Sequence, residues 1–399
     1  MTKAESEKRR QNFIVRAIWT VVMIAGFFIL LAAGHIWIIS LISAIQIFTY
    51  KEVIALASIP SQEKMLPYGK ALNWYFLGTT IYFLYGESVI FFFKQAVLVD
   101  AYLLPLAIHH RFISYMLYIV GFMFFVTTLE KGYYKFQFSQ FAFTHVTLLF
   151  VVVQAHFIMN NIFSGMFWFF LPASLVIIND IFAYLCGITF GRTQLIAISP
   201  KKTVEGFVGA WISTILFGMI LSHVLIKWNY MICPVKDFSE NAFSGMECIP
   251  NPVFTIQTFK IPDYLQVLVK KQTLSVAPIH FHVIVLSTFA SLIAPFGGFF
   301  ASGLKRTFKI KDFGDTIPGH GGITDRMDCQ FLMGFFSYIY YDSFIASQHL
   351  DPGSVLQIAI QSLTLEEQLQ LTASLHKYLF NQGYINGNTL NCLDTVWKA

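Results

Sequence analysis

Residues 279–328 read I-H-F-H-V-I-V-L-S-T-F-A-S-L-I-A-P-F-G-G-F-F-A-S-G-L-K-R-T-F-K-I-K-D-F-G-D-T-I-P-G-H-G-G-I-T-D-R-M-D. The first half, 279–303, holds no Asp, Glu, Lys or Arg and is long enough to cross a bilayer as a helix. The second half, 302–328, reverses that character. It carries the cations Lys305, Arg306, Lys309, Lys311 and Arg326 and the carboxylates Asp312, Asp315, Asp325 and Asp328, parted by the turn I-P-G-H-G-G. A membrane helix thus delivers cations able to hold phosphates next to acids able to hold a divalent metal. Transfer of a nucleotide between phosphates requires that combination.

Working outward, the same apolar character runs through the chain. Its 399 residues are 56% hydrophobic and 12% charged, with 43 Phe, against about 25% charged residues in soluble domains. The reading is an all-α, polytopic transmembrane helical bundle of about nine spans. They lie near 17–33, 35–56, 73–93, 112–129, 142–160, 165–190, 206–227, 279–303 and 329–347. Residues 1–16 form a basic N-terminal arm, 17–164 the N-terminal spans, and 165–347 the candidate catalytic region. Within the last, 228–278 is a polar insert of irregular structure, and 348–399 is an amphipathic tail. Lys and Arg in the short loops place the arm, the 192–202 loop and the 304–328 motif on one face, the cytoplasmic one. The insert then lies on the other face, where Cys233 and Cys248 could be bridged; the sequence leaves that pairing open. A net charge of +5 is too mild to argue for a nucleic-acid partner.

Asp325 and Asp328, three apart at the start of an apolar helix, project from one face. Two carboxylates with phosphate oxygens and water suit Mg²⁺, with Mn²⁺ as a substitute. The bland alternative is that they complement the helix dipole behind Thr324 as N-cap. Two acids around Arg326, directly after His320-Gly321-Gly322, favour the metal. Gly321 and Gly322 admit close approach of a ligand to the backbone. His320 is assigned to phosphate binding or to fixing the turn, because a phosphate monoester is already anionic at neutral pH and needs no general base.

A second charged region is N-D-I-F-A-Y-L-C-G-I-T-F-G-R at 179–192, followed by S-P-K-K-T-V-E-G-F-V-G at 199–209. Asp180 sits in an apolar segment, where an ionisable group is by default functional. Asp180, Tyr184 and Gly187 share a helix face with room for a substrate or a close neighbour. Ser199, Lys201, Lys202 and Thr203 open the next span and are candidates for substrate phosphates. An interhelical hydrogen bond from Asp180, and lysines that only mark the membrane edge, are the competing readings.

In these segments the chain resembles the phosphatidate cytidylyltransferases, also called CDP-diacylglycerol synthases, in their eukaryotic branch. The likeness rests on Ser302-Gly303-Leu304-Lys305-Arg306, Lys311-Asp312, His320-Gly321-Gly322 and Asp325-Arg326-Met327-Asp328, and extends over most of 165–347. The resemblance implies that CTP and phosphatidic acid give CDP-diacylglycerol and pyrophosphate with Mg²⁺. It implies Asp325 and Asp328 as metal ligands, Lys305, Arg306 and Lys311 on phosphates, and Asp180, Lys201 and Lys202 completing the pocket. Asp312, His320 and Arg326 join the catalytic set, and Ser302 with Gly321 and Gly322 the substrate contacts. Bacterial members carry an acid before their Lys-Arg pair where this chain has Gly298, so Asp180 and Asp315 are the candidates for a third metal ligand. The implied residence is the endoplasmic reticulum membrane, with the active site facing the cytoplasm. Homodimerisation is left open. A CTP-dependent polyprenol kinase is the sibling reading. A transporter is the reading from another class, but it needs charges spread through the bilayer depth rather than gathered in two loops.

Overall fold

A computed structural model describes residues 3–57, 68–92, 109–235, 238–260, 273–346, 359 and 363–384. Helices cover all nine expected stretches. They are α1 (Lys3–Ala33), α2 (His35–Leu56), α3 (Gly69–Phe92), α4 (His110–Thr127), α5 (Tyr134–Thr147) and α6 (Gln154–Ser164), the last two joined by a π-helical turn at Leu148–Val153. There follow α7 (Met166–Phe190), α8 (Val204–Leu225), the short α9 (Asn229–Ile232), α10 (Ile279–Leu292), α11 (Pro295–Thr307) and α12 (Thr324–Phe344). Among the described residues seven segments are long and apolar enough to cross a membrane, α5 to α6 and α10 to α11 each counting as one. Of the nine expected spans, α3 and α12 are not among these seven described segments. In α12 the reason is visible, since the helix opens on Asp325, Arg326 and Asp328. The chain is membrane-embedded, and large apolar side chains such as Phe13, Val21, Phe112 and Met123 are exposed on its outer helices, where lipid would cover them.

Met1–Ile345 forms one compact unit and Ala346–Ala399 a second. Helix α13 (Leu365–Asn381) belongs to the second unit and begins with a capping box between Thr364 and Glu367. Leu356 and Ile360, part of the amphipathic pattern expected for the tail, lie outside the described residues. The basic arm is not a separate element, because α1 starts at Lys3 and runs on without a break.

The centre of the bundle is α6, α7 and α12, whose Met159, Ile162, Phe167, Trp168, Leu171, Leu175 and Met333 are buried. Pro172 lies inside α7, so the Trp168 carbonyl loses its usual i+4 donor. The Ser337 hydroxyl of α12 donates to that carbonyl at 3.1 Å. Gln330 donates to the Ala173 carbonyl at 3.2 Å, and Asn161 of α6 to the Gly334 carbonyl at 2.8 Å. A proline defect in one span is thus repaired by the next, and the repair fixes how α12 sits.

Two short antiparallel hairpins modify the all-helical expectation: β1 (Gln194–Ile196) with β2 (Ser199–Thr203), and β3 (Gln257–Lys260) with β4 (Thr273–Val276). The described residues of the 228–278 insert carry more regular structure than expected. It holds α9, a 3-10 turn at Pro252–Phe254, the second hairpin and a Cys233–Cys248 disulfide with Cα atoms 5.9 Å apart. Tyr230 donates to the Leu31 carbonyl at the end of α1, and Asn251 to the Ile345 carbonyl just past α12. The 302–328 motif leads into the other end of α12, which at 21 residues is about 31 Å long. Insert and motif therefore occupy opposite ends of the bundle.

Candidate active site

The motif is built around an ion pair. Helix α11 ends with Lys305 and Arg306 in its last turn, where cations suit the helix dipole. The Lys305 ammonium lies 2.6 Å from Asp325 Oδ1, and their side chains are 19% and 8% exposed. The other oxygen of Asp325 accepts from the Phe313 amide at 3.0 Å and the Gly322 amide at 3.3 Å. Between the helices the chain passes through Lys309 at φ 54°, the one non-glycine residue in the left-handed region among those described. This is the post-helix position that usually takes glycine.

A residue outside the motif holds the turn. Glu52 of α2 is 8% exposed. Its carboxylate accepts from the Ile323 amide (3.1 Å), the Thr324 amide (2.9 Å), the Thr324 hydroxyl (2.7 Å) and the Thr316 hydroxyl. Thr324 is therefore the first residue of α12 rather than its N-cap, and its hydroxyl donates to Glu52. Two first-turn amides that a helix leaves orphaned are satisfied by a carboxylate from a distant span. The N-terminal spans thus reach into the motif, a role the sequence reading did not assign to them.

Three hollows surround this framework. A cleft of about 530 Å³ is lined by Ser302, Lys305, Arg306, Lys309, Ile310 and Lys311. Its charged groups are all cationic. A neighbouring cleft of about 470 Å³ shares Lys311 and adds Arg16, Asp312, Asp315, His320 and Arg326. There Arg326 donates to the His320 carbonyl at 2.9 Å, and the His320 ring lies 3.1 Å from the Thr20 hydroxyl of α1. His320 is accordingly held as a turn-fixing group between two elements. The third hollow is an apolar groove of about 270 Å³ between α2, α5, α11 and α12, with Val53, Phe143, Phe300 and Leu304 on its walls and Thr324 and Asp328 among its few polar residues.

The 180–203 region meets the motif at Asp328. On the motif side, a Cβ on Gly297 would stand 2.4 Å from the Asp328 carbonyl oxygen, so α11 lies directly on α12. Asp180 and Lys305 lie within electrostatic range of Asp328, and Lys202 within range of the adjoining Cys329. The Lys202 ammonium sits 3.6 Å from Asp180 Oδ1 and 5.6 Å from the centre of the Phe299 ring on α11. Asp180, Lys202, Lys305 and Asp328 thus gather in one place from separate segments. Thr203 caps α8 by accepting from the Gly206 amide at 3.2 Å. Glu205 ties the loop before β1 by accepting from the Arg192 amide (3.0 Å) and from the Thr193 hydroxyl (2.7 Å).

Other expected residues fall elsewhere. Tyr184 is 68% exposed, and neither it nor Ser199 lines either charged cleft. Lys201 is on β2, but its side chain lies outside the described ones. Asp315, proposed with Asp180 as a third metal ligand, lines the cleft with Arg16 and Asp312 instead. Gly321 has φ 83°, and the Asp312 side chain packs against it. Ser302 donates to the Gly298 carbonyl at 2.8 Å. Arg16 belongs to the basic arm whose charges indicate orientation, Glu52 falls outside the motifs, and Glu205 lies in the 199–209 segment but outside the candidate set. The one signal for Glu52 is an ionisable residue near the end of an apolar run, a place where charges also mark the membrane edge.

Among the described residues no three His, Cys, Asp or Glu side chains are grouped to hold a metal unaided. The donor set nonetheless fits Mg²⁺, which takes one or two carboxylates and fills its shell with water and phosphate oxygens. Asp328 Oδ1 accepts from the Cys329 amide at 2.7 Å and the carboxylate also meets the Cys329 thiol, which leaves it lone pairs for a cation. Asp180 is 54% exposed. Asp325 has both oxygens engaged and is the poorest donor of the three.

The profile of the Cytidylyltransferase family matches residues 14–344. A Schizosaccharomyces pombe relative is 55% identical over 96% of this chain and 87% of its own length. The Saccharomyces cerevisiae phosphatidate cytidylyltransferase is 50% identical over 100% of this chain and 87% of its own. The human phosphatidate cytidylyltransferase 1 is 46% identical over 94% and 81%. With the motif, its partner segment and nearly the whole length accounted for, the chain belongs to the cytidylyltransferase family.

Proposed function

We propose that the protein condenses CTP with phosphatidic acid, giving CDP-diacylglycerol and pyrophosphate. The observation that carries this reading is the adjacency of a cation-lined cleft, walled by Lys305 and Arg306, and an apolar groove, walled by Leu304 and Asp328, with the Lys305–Asp325 pair holding α11 and α12 together. The phosphatidate oxyanion forms a bond to the α-phosphorus of CTP while the bond from that phosphorus to the bridging oxygen of the β-phosphate breaks. Pyrophosphate leaves with the electron pair, and no proton has to be removed from the attacking group. Lys305, held by Asp325, and Arg306, Lys309 and Lys311 supply fixed positive charge for the triphosphate, so most of the rate comes from positioning and preorganised charge. The apolar groove suits an acyl chain of the lipid, with the head group at the Asp328 end. Mg²⁺, held by Asp328 and Asp180, would neutralise charge on the triphosphate.

The endoplasmic reticulum membrane is the residence we assign, with this end facing the cytoplasm. The Cys233–Cys248 bond at the opposite end supports that orientation, because disulfides persist in oxidising compartments. Labelled CTP supplied to the purified protein in vesicles containing phosphatidic acid should yield labelled CDP-diacylglycerol, lost with EDTA and restored by Mg²⁺. Label transferred to a polyprenol but not to phosphatidic acid would overturn the assignment.

A further inference from the structure

We infer that Glu52 is a positioning residue of the reaction: from α2, it sets the start of α12 and so aims Asp325 and Asp328. This deepens the proposed function and rests on it for the identity of the substrates.

Burying a carboxylate is expensive unless it is paired or fully hydrogen-bonded. Among the described residues no Lys, Arg or His forms an ion pair with Glu52. Its four donors all come from 316–324, the segment between the two charged halves of the motif. The fit is tight on the backbone side as well. A Cβ on Gly322 would stand 2.7 Å from Glu52 Oε2 and 2.9 Å from the Gly314 amide nitrogen, and one on Gly314 would stand 3.0 Å from Glu52 Oε1. The glycines flanking the turn therefore leave room for this carboxylate in addition to shaping the turn.

The consequence reaches the reacting end through short links. Asp325 is the second residue of α12, and its Oδ2 accepts from the Gly322 amide, whose residue packs on Glu52. Asp325 in turn holds Lys305. Asp328 is one turn further along the same helix. A shift of the first turn moves all three groups together, and a misplacement of about 1 Å is enough to lower a rate by about 10²-fold. The same turn of α2 carries Thr49 and Val53, which line the apolar groove beside Asp328. One helical turn thus contacts both the proposed lipid groove and the motif. With both oxygens occupied by hydrogen bonds, Glu52 is not the missing third metal ligand.

Glu52→Gln keeps size and reach but replaces one accepting oxygen by an amide NH₂, a donor, facing the backbone N–H groups. In the full-length protein in phosphatidate-containing vesicles, kcat should fall about 10- to 100-fold with KM for CTP within about threefold of wild type. Amide hydrogen exchange should accelerate about tenfold or more across 313–325 and stay unchanged in α7. Glu52→Ala should exaggerate both effects. Adding Thr324→Ala to Glu52→Gln should cost less than the sum of the single changes. Unchanged kcat, a rise in KM alone, or exchange that quickens equally throughout the bundle would each overturn the positioning role. If wild-type protein makes no CDP-diacylglycerol, the substrate assignment fails by itself. The exchange pattern then decides whether Glu52 holds the motif.

Discussion

Two ion pairs flank the proposed site and differ in almost every respect. Lys305 and Asp325 meet at 2.6 Å with side chains 19% and 8% exposed, whereas Lys202 and Asp180 stand 3.6 Å apart at 38% and 54%. The first pair is further fixed by the Phe313 and Gly322 amides and stands next to the Glu52 clamp. The second joins a helix to a two-stranded hairpin whose own tie, Glu205, is formed from exposed groups. The tight pair behaves as architecture, since neither member can leave without stranding a buried charge. The loose pair can exchange partners, the lysine for a phosphate and the carboxylate for a cation, without disturbing the fold. Family motifs treat all four residues alike; burial separates them.

The sharpest way to break this contrast is to remove one member of each pair. Asp325→Asn leaves Lys305 largely buried without its counter-charge and should destabilise the protein by about 3 kcal/mol, read as a lower melting temperature in detergent. Asp180→Asn should alter stability by less than about 1 kcal/mol, because the pair it breaks is exposed. Its kcat for CDP-diacylglycerol formation should nevertheless fall roughly 100-fold, an effect of the size seen when a fixed electrostatic partner of a transition state is lost. Asp328→Asn belongs with Asp180→Asn: turnover should drop about 100-fold or more while the protein stays folded. Equal melting losses for Asp180→Asn and Asp325→Asn would erase the distinction between the pairs.

A smaller effect is expected at the hairpin. Glu205→Ala frees the Arg192 and Thr193 amides and should loosen the loop that carries Lys202. Activity should fall about three- to tenfold, with the loss in KM for CTP rather than in kcat. A kcat loss as large as that of Glu52→Gln would mean that the two anchors are equivalent and that burial does not rank them.

How much of this was legible beforehand follows from the range of the interactions. Apolar runs and the 302–328 motif are local, so helix positions and the charged motif could be read directly. The Pro172 repair by Ser337 and the Glu52 clamp pair residues far apart in sequence. Neither leaves a periodic trace. Glu52 follows Lys51 near the end of an apolar run, where charges ordinarily mark the membrane edge. Arg16 was read in the same way, although it lines the cleft with Arg326 and Asp315. The β1–β2 hairpin has strands of three and five residues, too short for alternation to announce it. That Asp315 lines the cleft with Arg16 and Arg326 depends on which way the turn folds back, and the turn is held by Glu52.

The smallest expected effect tests the architectural side of the comparison from within. Lys309 sits at φ 54° directly after α11, a conformation that strains a side chain but not glycine. It also lines the cationic cleft with Lys305 and Arg306. If the cleft held no phosphate, a lysine there would be strain without purpose, and Lys309→Gly would only gain stability. If it holds the triphosphate, the strain is the cost of a fourth cation at a fixed point. Lys309→Gly should therefore raise stability by about 1 kcal/mol while weakening CTP binding about two- to fivefold, since an exposed charge next to a polyanion contributes modestly. Higher melting with unchanged KM would remove Lys309 from the phosphate site and leave that work to Lys305, Arg306 and Lys311. A drop in melting would show that the lysine side chain makes contacts outweighing its backbone strain, and that this stretch belongs with the tight pair rather than the loose one.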